Sequence, residues 1–134
     1  DYTSTNFEAE VMRLTNGEGV NVAYDSVGND TMARTITSTK RRGTIIAFGQ
    51  SSGPYTDFKI TDLSKGSYYL SRPTLFHFVG DRSWLDTASV KLFKAVTDGT
   101  INVSINQRFA LEDVAKAHEA LTGRATTGCT ILTV

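Results

Sequence analysis

The sequence predicts an α/β fold built on a parallel sheet. Two short apolar runs, VNVAY at 20–24 and TIIAFG at 44–49, alternate with segments whose apolar residues recur at helical spacing. This alternation is typical of right-handed crossovers onto a parallel sheet. The second run is continuous and bounded by glycines, as expected of a strand buried on both faces.

The first half of the chain is predicted to contain two helices. Thr5 and Glu8 have capping-box spacing and begin the first helix, which Gly17 ends. After the VNVAY strand, Asp30 is expected to cap a second helix that runs to about Lys40 and is ended by Gly43. The apolar face of that helix is predicted to consist of Met32, Ala33 and Ile36.

The second half continues the pattern after a loop, QSSGPYTD, which is dense in turn-forming residues. Strands are predicted over 67–71, 101–110 and 128–134. A helix opened by Ser83 and Asp86 is expected to end at Gly99, with its aromatic residues, Trp84 and Phe93 among them, in the core. A last amphipathic helix is predicted from Leu111 to Leu121.

Composition excludes several classes of partner. The 134 residues include 14 basic and 14 acidic side chains, so no field of one sign favours nucleic acid or an anionic membrane. The one basic cluster, KRR at 40–42, is expected at a helix end, where it complements the helix dipole. The apolar runs are too short to span a bilayer. The polar, acidic first residues do not resemble a secretion signal, so a cytoplasmic location is predicted.

Cysteine and histidine give no sign of a metal site. The single cysteine, Cys129, cannot form an internal disulfide, and no Cys/His set has metal-ligand spacing. Cys129 lies in a predicted strand and is interpreted as a small core residue. His77 lies among aromatic residues and His118 on an apolar helical face, so both are interpreted as packing residues rather than catalysts.

Three segments follow the predicted strands: DSVG at 25–28, FGQSSG at 48–53 and SRPTL at 71–75. In a parallel sheet they lie on one edge, outside the carboxyl ends of the strands, where such sheets bind ligands. From position alone, Ser26 is more typical of a turn cap, and the loop serines fit a solvated loop as well as a ligand site. Arg72 fits a surface residue or a ligand-facing cation. Arg124, in TGRATTG, fits a cation at a helix C-terminus better than a phosphate ligand.

These segments, in this order, resemble one family. VAYDSVG, RRGTIIAFGQSSG, LSRPTL, RFALEDVAKAHEAL and GRATTG resemble the NADPH:quinone oxidoreductases. These are the zinc-free, zeta-crystallin-like branch of the medium-chain dehydrogenase/reductase superfamily. The resemblance implies hydride transfer from NADPH to a quinone or activated alkene. It also implies that the cofactor carries the chemistry while the protein orients the reactants. No catalytic residue is assigned to this chain.

The resemblance implies a set of cofactor-binding residues. Tyr2 matches a tyrosine near the adenosine phosphate, and Ser26 and Val27 match residues beside the adenine-ribose and the nicotinamide half. The loop that runs past the cofactor, the segment whose backbone meets the nicotinamide carboxamide, and an arginine of the C-terminal tail supply the others. These are Phe48, Gly49 and Ser51, then Arg72, Pro73 and Thr74, then Arg124.

The resemblance also implies that the chain is a C-terminal fragment. Residues 1–100 match part of a Rossmann cofactor-binding domain, a doubly wound parallel sheet, and residues 101–134 match the returning tail of a GroES-like catalytic domain. The glycine-rich turn that would cradle the cofactor pyrophosphate is absent from these residues. We therefore expect weak or no NADPH binding by this chain alone.

Two consequences for assembly follow from the same comparison. The VNVAY strand would lack its inner neighbour and expose an apolar, unpaired edge, so self-association is expected. The family's dimer edge corresponds to 67–76, which predicts a homodimer through Ser67–Phe76. The alternatives left open are a non-catalytic structural module on this fold, as in the crystallins, and a binding module for another nucleotide.

Overall fold

A computed structural model describes all residues of the chain, 1–134. They form two compact units, Asp1–His77 and Phe78–Val134. The division into compact units does not test the predicted domain boundary after residue 100, because a compact unit need not be a domain. That boundary stays a prediction. The first unit contains, in chain order, α1 (Phe7–Leu14), β1 (Val20–Asp25), α2 (Met32–Thr37), β2 (Thr39–Ala47), a 3₁₀ helix (Ile60–Lys65) and β3 (Tyr69–Ser71). A short helix, α3 (Phe76–Val79), crosses the boundary between the units.

The sheet of the first unit is parallel, with strand order β1-β2-β3. Asp25 at the end of β1 pairs with Ala47 at the end of β2, and Ile46 pairs with Ser71 at the end of β3. The three strands therefore end together, and the segments that follow them emerge on one edge. The predicted parallel sheet and the predicted placement of the three segments on one edge are both confirmed.

β2 is the central strand and carries the core. Ile45 is fully buried, and it clusters with Met32 and Ile36 of α2 and with Ala47. Ala33, predicted on the apolar face of α2, is exposed instead. Thr35 is buried in its place because its hydroxyl has a partner at the end of β1.

The N-cap of the first helix lies one residue later than predicted. Asn6, not Thr5, is the N-cap, and its side-chain oxygen accepts a hydrogen bond from the Ala9 amide at 3.3 Å. α1 packs against α2, where the Arg34 guanidinium lies 4.8 Å from the centre of the Phe7 ring. That contact joins α1 to α2.

The second helix is shorter than predicted and the strand after it is longer. α2 begins after Thr31, not Asp30, and ends at Thr37, while β2 begins at Thr39. The hydroxyl of Ser38 donates to the Arg34 carbonyl at 2.6 Å, and that of Thr39 donates to the Thr35 carbonyl at 2.8 Å. Such back-bonding hydroxyls compete with continuation of a helix. The KRR cluster therefore lies in β2, and its predicted role at a helix end is wrong.

The second unit contains α4 (Arg82–Thr97), β4 (Ile105–Ala110), a 3₁₀ helix (Leu111–Asp113), α5 (Val114–Thr122) and β5 (Cys129–Thr133). β4 and β5 pair in parallel as a two-stranded sheet. Asp81, not Ser83, caps α4: its carboxylate accepts from the amides of Ser83 and Trp84 at 2.9 and 3.2 Å. Helix and strand types were predicted correctly here, and the cap of α4 was not.

Several side chains predicted to be buried are exposed. Trp84 and Phe93 of α4 keep 43% and 68% of their surface exposed, although the Trp84 ring contacts Phe78 at a centroid distance of 5.4 Å. His77, His118 and Cys129 are also exposed, so their interpretation as packing residues is wrong. α4 and α5 present apolar side chains that this chain does not cover.

Candidate functional site

The loops that follow β1 and β2 are hydrogen-bonded to each other along the carboxyl edge of the sheet. The Ser51 amide donates to the Ser26 carbonyl at 3.2 Å, and the Ser52 amide donates to the Val27 carbonyl at 2.8 Å. The Ser52 hydroxyl adds a bond to the same Val27 carbonyl and accepts one from the Asp30 amide. The two loops therefore form one continuous surface rather than two independent turns.

Asp25 is buried under this surface and holds it in place through hydrogen bonds. Its side chain is 3% exposed, and its two carboxylate oxygens accept four hydrogen bonds. One oxygen accepts the amides of Val27 and Gly28, both at 2.9 Å. The other accepts the hydroxyls of Thr31 at 2.8 Å and Thr35 at 2.7 Å. A buried carboxylate with all its donors in place holds the turn after β1 against α2.

These bonds decide the ionisation of Asp25. Burial by itself raises the pKa of a carboxyl group, but the hydrogen bonds from Gly28, Thr35, Thr31 and Val27 outweigh it and lower the pKa of Asp25 below its ordinary value of 3.8. Asp25 is therefore a carboxylate at neutral pH, and it acts as an acceptor rather than as a proton donor.

Two glycines let the loops approach this closely. Gly28 has a φ of +90°, and a β-carbon there would lie 2.5 Å from the Gly53 carbonyl oxygen. A β-carbon at Gly49 would lie 2.5 Å from the Ser26 carbonyl oxygen. Both distances are shorter than any real carbon–oxygen contact, so both positions require glycine. Gly49 makes its close approach to the Ser26 backbone.

The structure revises the interpretation of Ser26. The cap of the local turn is Asp25, so the Ser26 side chain is not needed for that role. Ser26 and Ser51 are both exposed, at the edge where their backbones are joined. Their hydroxyls are available to a ligand that lies along the joined loops.

Two grooves flank the joined loops. The Tyr2 groove, of about 210 Å³, is lined by residues that include Tyr2, Phe7, Tyr24, Ser26 and Val27. It brings together three of the predicted cofactor residues, since Tyr2 lies far in sequence from the adjacent Ser26 and Val27.

The second groove, called the Arg72 groove, has a volume of about 200 Å³ and is lined by residues that include Gly49, Gln50, Tyr55, Leu70 and Arg72. Its walls are mainly apolar, and Arg72 is the charged residue among those that line it. The Arg72 guanidinium donates to the carbonyl of Pro73 at 3.1 Å. Gly49 and Arg72, both predicted for the site, therefore share one groove.

The other predicted residues lie in the following places. Phe48 is exposed directly after β2, with its amide bound to the Asp25 carbonyl at 2.9 Å. Pro73 and Thr74 are half-buried and follow Arg72 in the chain. Arg124 belongs to the second unit, just after α5, and its φ of +57° places it in the left-handed region. Nine of the ten predicted residues thus belong to the first unit, since Arg124 alone lies beyond His77.

Sequence reasoning missed the residues that hold the two loops in place through hydrogen bonds. Asp25, Thr31, Thr35 and Ser52 were not among the predicted cofactor residues. A signal was present: an acid directly after an apolar strand, followed by threonines at 31 and 35, which lie four apart on one helical face. Only the fold shows that this face is turned to the end of β1.

No group of three or more His, Cys, Asp and Glu side chains is arranged to hold a metal ion. No helix combines the length and apolar character that crossing a membrane requires.

Comparison with known proteins identifies the family. A family model described as zinc-binding dehydrogenase matches residues 1–132. The chain belongs to this family. The residues of this chain do not form a zinc site. Cys129, His77 and His118 do not belong to any group of three or more side chains that could hold a metal ion.

Individual relatives of this dehydrogenase-family chain are reductases. It is 41% identical over 133 residues to a quinone oxidoreductase of Pseudomonas aeruginosa, covering 98% of this chain and 41% of that protein. It is 36% identical over 134 residues to a 2-haloacrylate reductase of a Burkholderia species, covering 98% of this chain and 40% of that one. The predicted resemblance to quinone oxidoreductases is confirmed.

A solved structure gives the same result in three dimensions. The quinone oxidoreductase of Escherichia coli, determined in complex with NADPH, superposes with a TM-score of 0.91 at 36% identity. The match covers 100% of this chain and 42% of that one. The chain therefore spans about two fifths of the length of the relatives it matches.

Proposed function

We propose that this chain is the C-terminal part of an oxidoreductase that transfers hydride from NADPH to a quinone or an activated alkene. Three facts support this: the family membership, the reductase activities named for the relatives, and the NADPH complex of the Escherichia coli structure. Within that protein, the chain would supply one wall of the cofactor cleft. It is proposed to be inactive alone.

The observation that carries the proposal is the joined pair of loops at the carboxyl edge. They combine exposed hydroxyls at Ser26 and Ser51 with a rigid backbone fixed by Asp25. Parallel sheets bind nucleotide cofactors at this edge. The residues present fit one side of a dinucleotide, because they offer neutral donors and close backbone approach between the two grooves that flank the loops.

NADPH, when bound, supplies the hydride, and the residues of this chain bind and orient it. Tyr2 is proposed to lie near the adenosine phosphate, with Ser26 and Val27 along the adenine-ribose and the nicotinamide half. The remaining proposed contacts are the loop residues Phe48, Gly49 and Ser51, the segment Arg72, Pro73 and Thr74, and Arg124.

The domain assignment belongs to the same proposal. Residues 1–100 would complete a Rossmann domain, and residues 101–134 would return to a GroES-like domain. A zinc-free reaction is proposed because of the resemblance to the zinc-free branch of the superfamily. A cytoplasmic location is proposed on the basis of the single cysteine, which forms no internal disulfide.

A homodimer through Ser67–Phe76 is proposed as well. β3 is an edge strand of the first unit, and Tyr69, Leu75 and Phe76 around it are exposed. An exposed apolar edge strand is a template for pairing with a second copy. Sedimentation of the wild type and of Tyr69→Lys tests this: the variant is expected to shift toward monomer, and an unchanged distribution would argue against this edge.

The activity is tested with the longer protein that carries this chain. NADPH oxidation is followed by absorbance with a panel of quinones, and with 2-haloacrylates as activated alkenes. We expect turnover with at least one acceptor and no turnover by residues 1–134 alone. A longer protein that oxidises no NADPH with any acceptor would refute the proposed function.

A further inference from the structure

Asp25 joins three segments of the carboxyl edge through two different groups. Its carboxylate holds the amides of Val27 and Gly28 and, through two threonine hydroxyls, the buried side of α2. Its backbone carbonyl accepts the Phe48 amide at 2.9 Å and the Gly49 amide at 3.3 Å. The loop after β1, the helix α2 and the loop after β2 therefore meet at one residue.

We propose that Asp25 is a positioning residue for the cofactor, and this inference rests on the proposed function. Asp25 is 3% exposed, so it acts through the residues that it holds rather than by touching a ligand. The residues that it places are Ser26 and Val27 on one loop and Phe48 and Gly49 on the other. Its carboxylate fixes the first loop, and the hydrogen bonds between the loops carry that order to Ser51 and Ser52.

The chemistry of the four donors explains why a carboxylate is suited to this position. All four contacts present hydrogens to it, two from amides and two from hydroxyls. An asparagine offers one acceptor oxygen, which can keep the Val27 and Gly28 amides. Its NH₂ group would face the Thr31 and Thr35 hydroxyls, which must then turn round and accept. Asp25→Asn is therefore a conservative change that keeps the turn, whereas Asp25→Ala leaves the amide of buried Gly28 without its acceptor.

Hydrogen exchange of residues 1–134 provides a readout that is independent of activity. In Asp25→Ala, we expect faster exchange at the amides of Val27, Gly28, Ser51 and Ser52, while the amides that pair β2 with β3 stay protected. Asp25→Asn is expected to restore most of the protection. Equal acceleration at all amides would indicate a general loss of stability and would overturn the positioning role.

Kinetics of the longer protein supply the second readout. Loss of the fixed loop should weaken NADPH binding, so the KM for NADPH of Asp25→Ala should rise about tenfold while kcat at saturating NADPH changes by less than about twofold. Asp25→Asn should raise the KM for NADPH by a smaller factor, because it keeps the two amide contacts but disturbs the two threonine contacts. Asp81→Ala is the matched control, because the Asp81 carboxylate likewise accepts two amides and a hydroxyl but belongs to the second unit. We expect its KM for NADPH to stay unchanged.

The outcomes separate this inference from the function on which it rests. A wild type that oxidises no NADPH refutes the proposed function, and the exchange pattern then decides alone whether Asp25 holds the two loops. An active wild type whose KM for NADPH is unchanged in Asp25→Ala overturns the positioning role and leaves the function standing. If Asp25→Ala does not fold, Asp25→Asn is measured instead. A small, selective rise in its KM supports the inference, and a loss confined to kcat overturns it.

Discussion

Gly28 lies where the two loops touch, and the absence of a side chain there permits the contact. Its φ of +90° disfavours any other residue, and the Gly53 carbonyl fills the space that a β-carbon would need. Asp25 holds the same turn from the other side, through the Gly28 amide. The geometry of the candidate site thus depends on two residues that offer no side-chain group to a ligand.

Gly28→Ala should destabilise the chain more than the same change at a glycine with a similar backbone and free space. Gly17 is the matched control: its φ is +82°, and a β-carbon there would meet nothing within 4 Å. We expect a loss of about 3 kcal/mol in the free energy of unfolding for Gly28→Ala and about 1 kcal/mol for Gly17→Ala, measured by urea denaturation. Equal losses would show that backbone strain alone, and not the contact with Gly53, makes glycine necessary.

The lowered pKa of Asp25 makes part of the stability depend on pH. Because the folded-state pKa lies below the ordinary value of 3.8, the carboxylate stabilises the fold above that value, and this contribution is lost as the pH falls through the folded-state pKa. Wild type should exceed Asp25→Asn by about 2 kcal/mol in unfolding free energy at pH 7. The difference should shrink below about pH 4. A difference that is the same at low and neutral pH would exclude the charge of Asp25 as its cause.

The strands of the first unit could be predicted from the sequence, but the boundary between α2 and β2 could not. TIIAFG is recognisable because a continuous apolar run between glycines is typical of a buried parallel strand, and VNVAY because Val20, Val22 and Tyr24 alternate along it. The segment TITSTKRR fits a helical pattern as well as an extended one. The hydroxyls of Ser38 and Thr39, which donate to carbonyls of the preceding turn, mark where the helix ends. Asp25 could not be assigned either, because its partners at 31 and 35 meet it only once α2 lies against β1.

The β1 edge should promote self-association of the isolated chain. β1 pairs with β2 alone, and Val22 and Tyr24 are 45% and 74% exposed. A lysine on an edge strand opposes pairing with another copy, so Val22→Lys should lower the average mass seen by light scattering at micromolar concentration. Val90→Lys is the control, since Val90 is 68% exposed on α4 and not on a strand edge. A monomeric wild type would contradict the prediction.

The chain forms two compact units and matches only part of the length of its relatives. The match to the Pseudomonas aeruginosa quinone oxidoreductase covers 98% of this chain and 41% of that protein. The exposed apolar residues of β1, α4 and α5 are consistent with surfaces that further polypeptide covers. We propose that the joined loops form one wall of an NADPH cleft and that residues outside 1–134 form the opposite wall.

Calorimetric titration of NADPH tests that claim most directly. Residues 1–134 and the longer protein that includes them are titrated under the same conditions. We expect saturable binding to the longer protein and weak or no binding to residues 1–134, which lack a glycine-rich turn for the pyrophosphate. Tight NADPH binding by residues 1–134 alone, or none by the longer protein, would contradict the account.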